Sequence, residues 1–249
     1  MIHPVARGFE RAAADYERGR PTFPPETIEF LRERLDLRPG RTVLDLAAGT
    51  GKLTRLLVPT GARVIAVEPL AAMRDALRET APTVEALEGV AEAIPLDDGS
   101  VDAVTVAQAF HWFDLERAYR ELHRVLRPEG VLALVWNVRD LDDPLQAAID
   151  ELLKPHRAAA AKTRDWELEF DTPARAGLFS DFELWTHRWV QQMDRDLLAA
   201  RFRSVSFVAT LPEAEQRVLL ERIVAAADGL PVRFDFPYVT EVFISFRQT

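Results

Sequence analysis

The run Val43-Leu44-Asp45-Leu46-Ala47-Ala48-Gly49-Thr50-Gly51 is an apolar segment that carries one carboxylate and ends in a chain of small residues. It reads as a buried strand turning sharply into a helix, because small side chains permit a tight turn and leave the backbone open to a ligand. A second apolar run, Val64-Ile65-Ala66-Val67, follows after one helix length and ends in Glu68. Together they make a β-α-β unit, and an acid closing the second strand is where such folds hold the hydroxyls of a ribose. The expected ligand therefore carries a ribose and sits at the strand ends.

Two ligand classes share this geometry. A dinucleotide site wants a third glycine in G-x-G-x-x-G so that helix and strand pack closely beside a pyrophosphate. Here Gly49-Thr50-Gly51-Lys52-Leu53-Thr54 has threonine in that place. Asp45, just before the turn, is expected to repel a pyrophosphate and to suit a cationic amino group. Both points argue against an NAD-dependent oxidoreductase and for S-adenosylmethionine. The segment Asp45 to Gly51 resembles the first motif of the class I S-adenosylmethionine-dependent methyltransferases, with Ala47 where the family usually has glycine.

The resemblance continues in order along residues 40 to 137. It implies that Asp45, Ala47, Ala48, Gly49, Thr50 and Gly51 cradle the cofactor, that Glu68 binds its ribose, and that Pro69 and Met73 lie near the adenine. Gly89-Val90-Ala91-Glu92 resembles the third motif, which assigns Ala91 and Glu92 to the adenine edge. The stretch 101–109 resembles the fourth strand, with Gln108 and Ala109 beside the methyl donor, and Leu126 to Leu132 resembles the turn before the fifth. At the N-terminus, Phe9, Ala13, Tyr16, Gly19, Arg20, Pro21 and Phe23 follow a pattern similar to small-molecule methyltransferases of the trans-aconitate type. That likeness implies a segment folded over the cofactor, with Arg20 on the methionine carboxylate and Tyr16 covering the sulfonium.

The implied fold class is α/β: a doubly wound, mostly parallel seven-stranded sheet with an N-terminal helical cover (1–35), a cofactor-binding core (36–140), a substrate cap containing strand six (141–235) and a final strand (236–249). Local patterns predict helices over 24–35, 70–79 and 115–126, and strands over 84–88 and 131–136. A helix over 142–157 is expected to break near Pro155, and 158–173 shows no period. Beyond it, a strand over 182–190, helices over 195–203 and 213–227, and a closing strand over 236–246 are predicted, the last two strands forming an antiparallel pair.

At 249 residues and 48% hydrophobic content the chain can bury the core of one such domain. The absence of cysteine removes disulfides and thiolate chemistry, and the opening residues lack an apolar export core, so cytoplasmic residence is expected. Forty acidic against thirty-one basic residues give a net charge of −9, a poor footprint for nucleic acid. No run is long and apolar enough for a membrane span. The histidines show no metal-ligand spacing, so no metal is expected. The partner is a small-molecule methyl acceptor, and the chain is expected to be a monomer or homodimer.

The chemistry implied is in-line methyl transfer from a sulfonium, driven mainly by alignment of donor and acceptor. His111, just past the fourth strand, is the candidate base for a hydroxyl or acidic-carbon acceptor; as a pocket wall it would serve a carboxylate acceptor, which needs no base. Phe110 and Trp112 are candidates to stack on substrate or to pack in the core. Asn137 and Arg139 are candidates to orient a substrate carboxylate, and Arg203, Ser206 and Tyr238 resemble positions lining the acceptor side in relatives. A cofactor-binding protein that does not methylate remains the alternative from sequence.

Overall fold

Strand β1 (Thr42–Leu46) pairs in parallel with β2 (Arg63–Val67) and with β4 (Val101–Ala107), and β2 carries β3 (Glu85–Leu87) outside it. On the other side of β4 runs parallel β5 (Leu126–Arg139), then β7 (Phe234–Phe246) and edge strand β6 (Glu183–Met193), the last two antiparallel. The sheet order is therefore β3-β2-β1-β4-β5-β7-β6, the seven-stranded, mostly parallel sheet that was expected. This is a computed structural model, and it describes residues 17–159, 172 and 175–249.

The inner strands are near-continuous apolar runs because both faces are covered. Side chains alternate, so Leu44, Leu46, Ile65 and Val67 join one core layer with Tyr119 and Leu122 of α4 (Leu115–Val125). Val43, Val64 and Ala66 join the opposite layer, beneath α1 (Pro25–Arg34), the short α2 (Thr54–Leu57) and α3 (Ala71–Thr80). The expected helices and strands over 24–126 thus lie within a residue or two of their observed bounds. Strand five is longer than its apolar heart: it begins at Leu126 and passes through a register shift, with Glu129 in the left-handed region at φ 64°.

A third cluster stands apart over the carboxyl end of β5 and the amino end of β7. It joins Leu145, Ile149 and Leu153 of α5 (Pro144–Ala159) to α6 (Arg195–Arg203), α7 (Ser206–Ala209) and α8 (Glu213–Ala225). The cap is therefore drawn from two places in the chain, after β5 and between β6 and β7. The predicted break at Pro155 does not occur, since α5 runs through it to Ala159. The proline removes one hydrogen bond, but the buried stripe of Leu145, Ile149 and Leu153 already fixes the helix axis. The 160–171 part of the aperiodic stretch lies outside the described residues.

Candidate active site

The turn after β1 is held in unusual backbone. Ala47, Gly49 and Gly51 all have positive φ, at 56°, 59° and 84°. At Gly51 a Cβ would come within 3.0 Å of Leu77, so this glycine lets α3 close on the turn. Ala47 holds the left-handed conformation with a side chain, as does Gln108 after β4 at φ 59°. Both line the same cavity, and such strain persists only where surrounding structure enforces it.

That cavity encloses about 300 Å³ at the carboxyl ends of β1, β2 and β4. Leu46, Ala47 and Gly49 form one wall; Glu68, Pro69, Leu70 and Met73 form the next. Gly89 to Glu92 and Ala107 to Ala109 close two further sides, and His111, Trp112 and Phe113 stand at the rim with Val205 and Ser206 from the cap. Glu68 is the buried acid of this space: Oε2 accepts from Gly49 N at 2.8 Å and Oε1 from Leu70 N at 2.9 Å. Burial pushes its carboxyl up from the ordinary value, against the pull of those two bonds. Each oxygen accepts a single amide in this arrangement, which leaves lone pairs for a vicinal diol.

A model of the methyltransferase domain family matches residues 44–134, the stretch that builds these walls. Over 241 residues the chain is 41% identical to an uncharacterized methyltransferase of Mycobacterium tuberculosis, covering 95% of this chain and 94% of that one. The chain belongs to the class I S-adenosylmethionine-dependent methyltransferases. A malonyl-[acyl-carrier protein] O-methyltransferase of Enterobacter lignolyticus is 34% identical over 186 residues, 73% of this methyltransferase and 71% of that protein. Among solved structures, one assigned as a type II methyltransferase from Anaeromyxobacter dehalogenans superposes with a TM-score of 0.66 at 28% identity, covering 92% of this chain and 96% of that one.

Most residues expected at the cofactor do gather here: Arg20, Ala47, Gly49, Glu68, Pro69, Met73, Ala91, Glu92, Gln108 and Ala109 line the cavity. Ala48 and Thr50 line a smaller adjoining one. Tyr16 lies outside the described residues. Asp45 corrects the charge reasoning. It lies behind the turn and lines neither cavity, because along β1 it shares the face of Val43, opposite Leu44 and Leu46. Its carboxyl is 1% exposed and accepts from Thr54 Oγ1 at 2.5 Å and Thr105 Oγ1 at 3.0 Å. Burial raises its pKa to about 6 despite those hydrogen bonds. Gly51 likewise packs on α3 and lines neither cavity.

The expected acceptor residues divide. His111 rests tilted against Trp112 with ring centroids 4.5 Å apart, and Ser206 reaches the same rim from the cap. Phe110 is fully buried edge-on to Phe113 and Tyr119, so it is core. Asn137 lines the smaller cavity, donating to Thr22 O at 3.0 Å and accepting from Thr240 Oγ1 at 2.6 Å. Arg139 turns away into the cap, where Asp150 binds it at 2.5 Å. Tyr238 is fully buried and stacked on Trp189, 5.3 Å between centroids. Arg203 lines a groove on the outer side of the cap with Glu213 and Arg217.

Sequence reasoning passed over Glu17. Its carboxylate accepts from Thr50 Oγ1 at 2.6 Å and Arg55 Nη1 at 2.7 Å, and Lys52 Nζ donates to its carbonyl at 2.6 Å. The N-terminal segment is thereby latched to the first turn, and Gly19 lets it pass close against α6: a Cβ there would meet Ala200 O at 2.4 Å. Arg20 follows, donating to Ser204 O at 3.0 Å. A basic pair at 52 and 55 beside the turn, facing an acid in the covering segment, was the available signal.

Proposed function

We propose that this methyltransferase binds S-adenosylmethionine in the 300 Å³ cavity and transfers its methyl group to a small organic acceptor held under the α5–α8 cap. The observation that carries this reading is Glu68, buried at the cavity wall with its two oxygens tied to the first turn and to the start of α3, ready for a ribose diol. The residues present fit the cofactor. Gly49 meets nothing within 4 Å where a Cβ would project, which leaves its ligand side open. Pro69, Met73 and Ala91 offer apolar surface for an adenine.

When bound, the cofactor supplies an already activated methyl group. The chain's own residues orient and enclose. Ala47 and Gln108, both in strained backbone, bracket the donor end; Glu92 is fixed by accepting from Asp114 N at 2.9 Å, so its position at the adenine edge is set by the start of α4. The N-terminal segment and the cap exclude water. For a hydroxyl or acidic-carbon acceptor, His111 is the ring placed to take the proton; a carboxylate acceptor leaves it as a wall. The regions 1–35, 36–140, 141–235 and 236–249 then work as cover, cofactor core, acceptor cap and closing strand of one catalytic unit.

The test is calorimetric titration with S-adenosylhomocysteine and with NAD, followed by incubation with methyl-labelled cofactor and a panel of acids, phenols, amines and indoles. Binding of the homocysteine product and label transfer to a member of the panel are expected. Preference for NAD would overturn the proposal, and tight cofactor binding without transfer to any class would favour a non-methylating role.

A further inference from the structure

The smaller cavity, about 40 Å³, lies over the first turn between Gln108, Asn137, Arg20 and Arg201. It has room for about three waters or a single carboxylate. Arg201, on α6, is 6% exposed. Its Nε donates to the neutral phenol oxygen of Tyr238 at 3.1 Å, and its buried Nη1 has no partner among the described residues. The acid that neutralises its neighbourhood is committed elsewhere. Arg139 and Arg201 stand over the same Phe202 ring at 5.7 and 5.6 Å, while Asp150 pairs with Arg139 and Arg157 at 2.5 Å each. Burial and then the charge of Arg201 lower the pKa of Arg139, a sign of cationic excess inside the cap. A buried guanidinium bonded only to neutral groups is costly unless an anion meets it.

We propose that Arg201 is a carboxylate receptor: together with Arg20, which lines both cavities, it binds the carboxylate of a ligand extending from the main cavity into the smaller one. A planar carboxylate matches the guanidinium fork and the space. The group has two possible sources, the amino-acid end of the cofactor or an acidic acceptor, and the inference rests on the proposed function for either. Its consequence for specificity differs: in the second case the enzyme selects acids as substrates.

The experiment separates the two sources. Wild type, Arg201→Met and Arg201→Gln are titrated with S-adenosylhomocysteine and with 5′-methylthioadenosine, which keeps the adenosine and thioether but lacks the amino-acid carboxylate. The homocysteine-loaded proteins are then titrated with succinate, citrate and benzoate. The variants should lose about tenfold or more in affinity for one carboxylate ligand while binding methylthioadenosine as wild type does. Loss confined to S-adenosylhomocysteine assigns the group to the cofactor; loss confined to the acids assigns it to the acceptor. Variants that bind S-adenosylhomocysteine as wild type does, with the acids binding equally or not at all, overturn the inference. Should the methionine variant not fold, the glutamine variant is read in the same way. A wild type that binds neither nucleoside sinks the proposed function instead, and the acids alone then decide the role of Arg201.

Discussion

Asp45 offers the sharpest quantitative test of how the first turn is built. Its carboxyl is buried beneath the turn, and its folded-state pKa stands at about 6 against 3.8 for the free side chain. Because the fold raises the value, the neutral form is the one the native state prefers. Its contribution to stability is fully present below pH 3.8 and is lost as pH rises through 6. The full amplitude is about 3 kcal/mol at roughly 1.36 kcal/mol per unit, of which about 1.4 kcal/mol falls between about pH 5 and 7.5. Asp45→Asn has no proton to lose there, while Thr54 and Thr105 can turn their hydroxyls to meet the amide. Urea unfolding followed by tryptophan fluorescence at those two pH values measures the difference between variant and wild type. On going from the lower to the higher pH, that difference should shift towards the asparagine protein by about 1.4 kcal/mol. A flat difference would refute the burial of this charge. Affinity for S-adenosylhomocysteine should be nearly unchanged by the substitution, since Asp45 lines neither cavity; a large loss would return it to the binding site.

Glu68→Ala should weaken S-adenosylhomocysteine binding by about 1–3 kcal/mol by calorimetry, as charge-assisted hydrogen bonds to the ribose disappear, and unaltered affinity would reject that role. Burial raises the Glu17 carboxyl, but Thr50, Arg55 and Lys52 lower it further, so its pKa lies below the ordinary 4.5. The latch of the N-terminal segment should therefore hold above that pH and fail as pH falls below it; Glu17→Ala should show the same release at neutral pH, read as faster proteolysis near residue 20 with little change in melting temperature. Asp102, 4% exposed, accepts from Thr42 N and Arg127 Nη1 at 2.7 Å and from Arg41 Nη1 at 2.9 Å. Asp102→Ala leaves an amide and two guanidiniums short of their acceptor and should cost about 3 kcal/mol of unfolding free energy, with cofactor affinity retained in the folded protein.

The parts of the molecule legible in sequence are those set by local period. β1, β2, β4 and α4 follow from apolar runs and one amphipathic stripe, and the place of Glu68 in the cavity wall follows from its position at the end of β2. Asp45, on β1, is close to the turn in sequence, but strand alternation sets which face it takes. With Leu44 and Leu46 committed to one layer, residue 45 enters the other and lines neither cavity.

The side proposed for the acceptor is hidden in sequence for a different reason, since its geometry is fixed by pairings between distant segments. Register places Asn137 opposite Thr240 and Arg139 opposite Tyr238, so these four side chains form one polar ladder rising from the smaller cavity into the cap. Asn137, at the foot, touches the cavity; one rung higher, Arg139 and Tyr238 are absorbed by Asp150 and Arg201. Nothing in the spacing of residues 137 and 139 says where ligand space ends and cap begins, because that border depends on α5 and α6 arriving from opposite sides of β6. The same convergence brings Arg201 over the first turn, although some 150 residues separate them. A cap assembled from two insertions can change its buried polar set by substitutions on α5 or α6 while Glu68 and the turn stay fixed. Acceptor choice in this methyltransferase is therefore expected to be altered by changes at Arg201, Val205 and Ser206 without loss of cofactor affinity beyond that of the carboxylate contact itself.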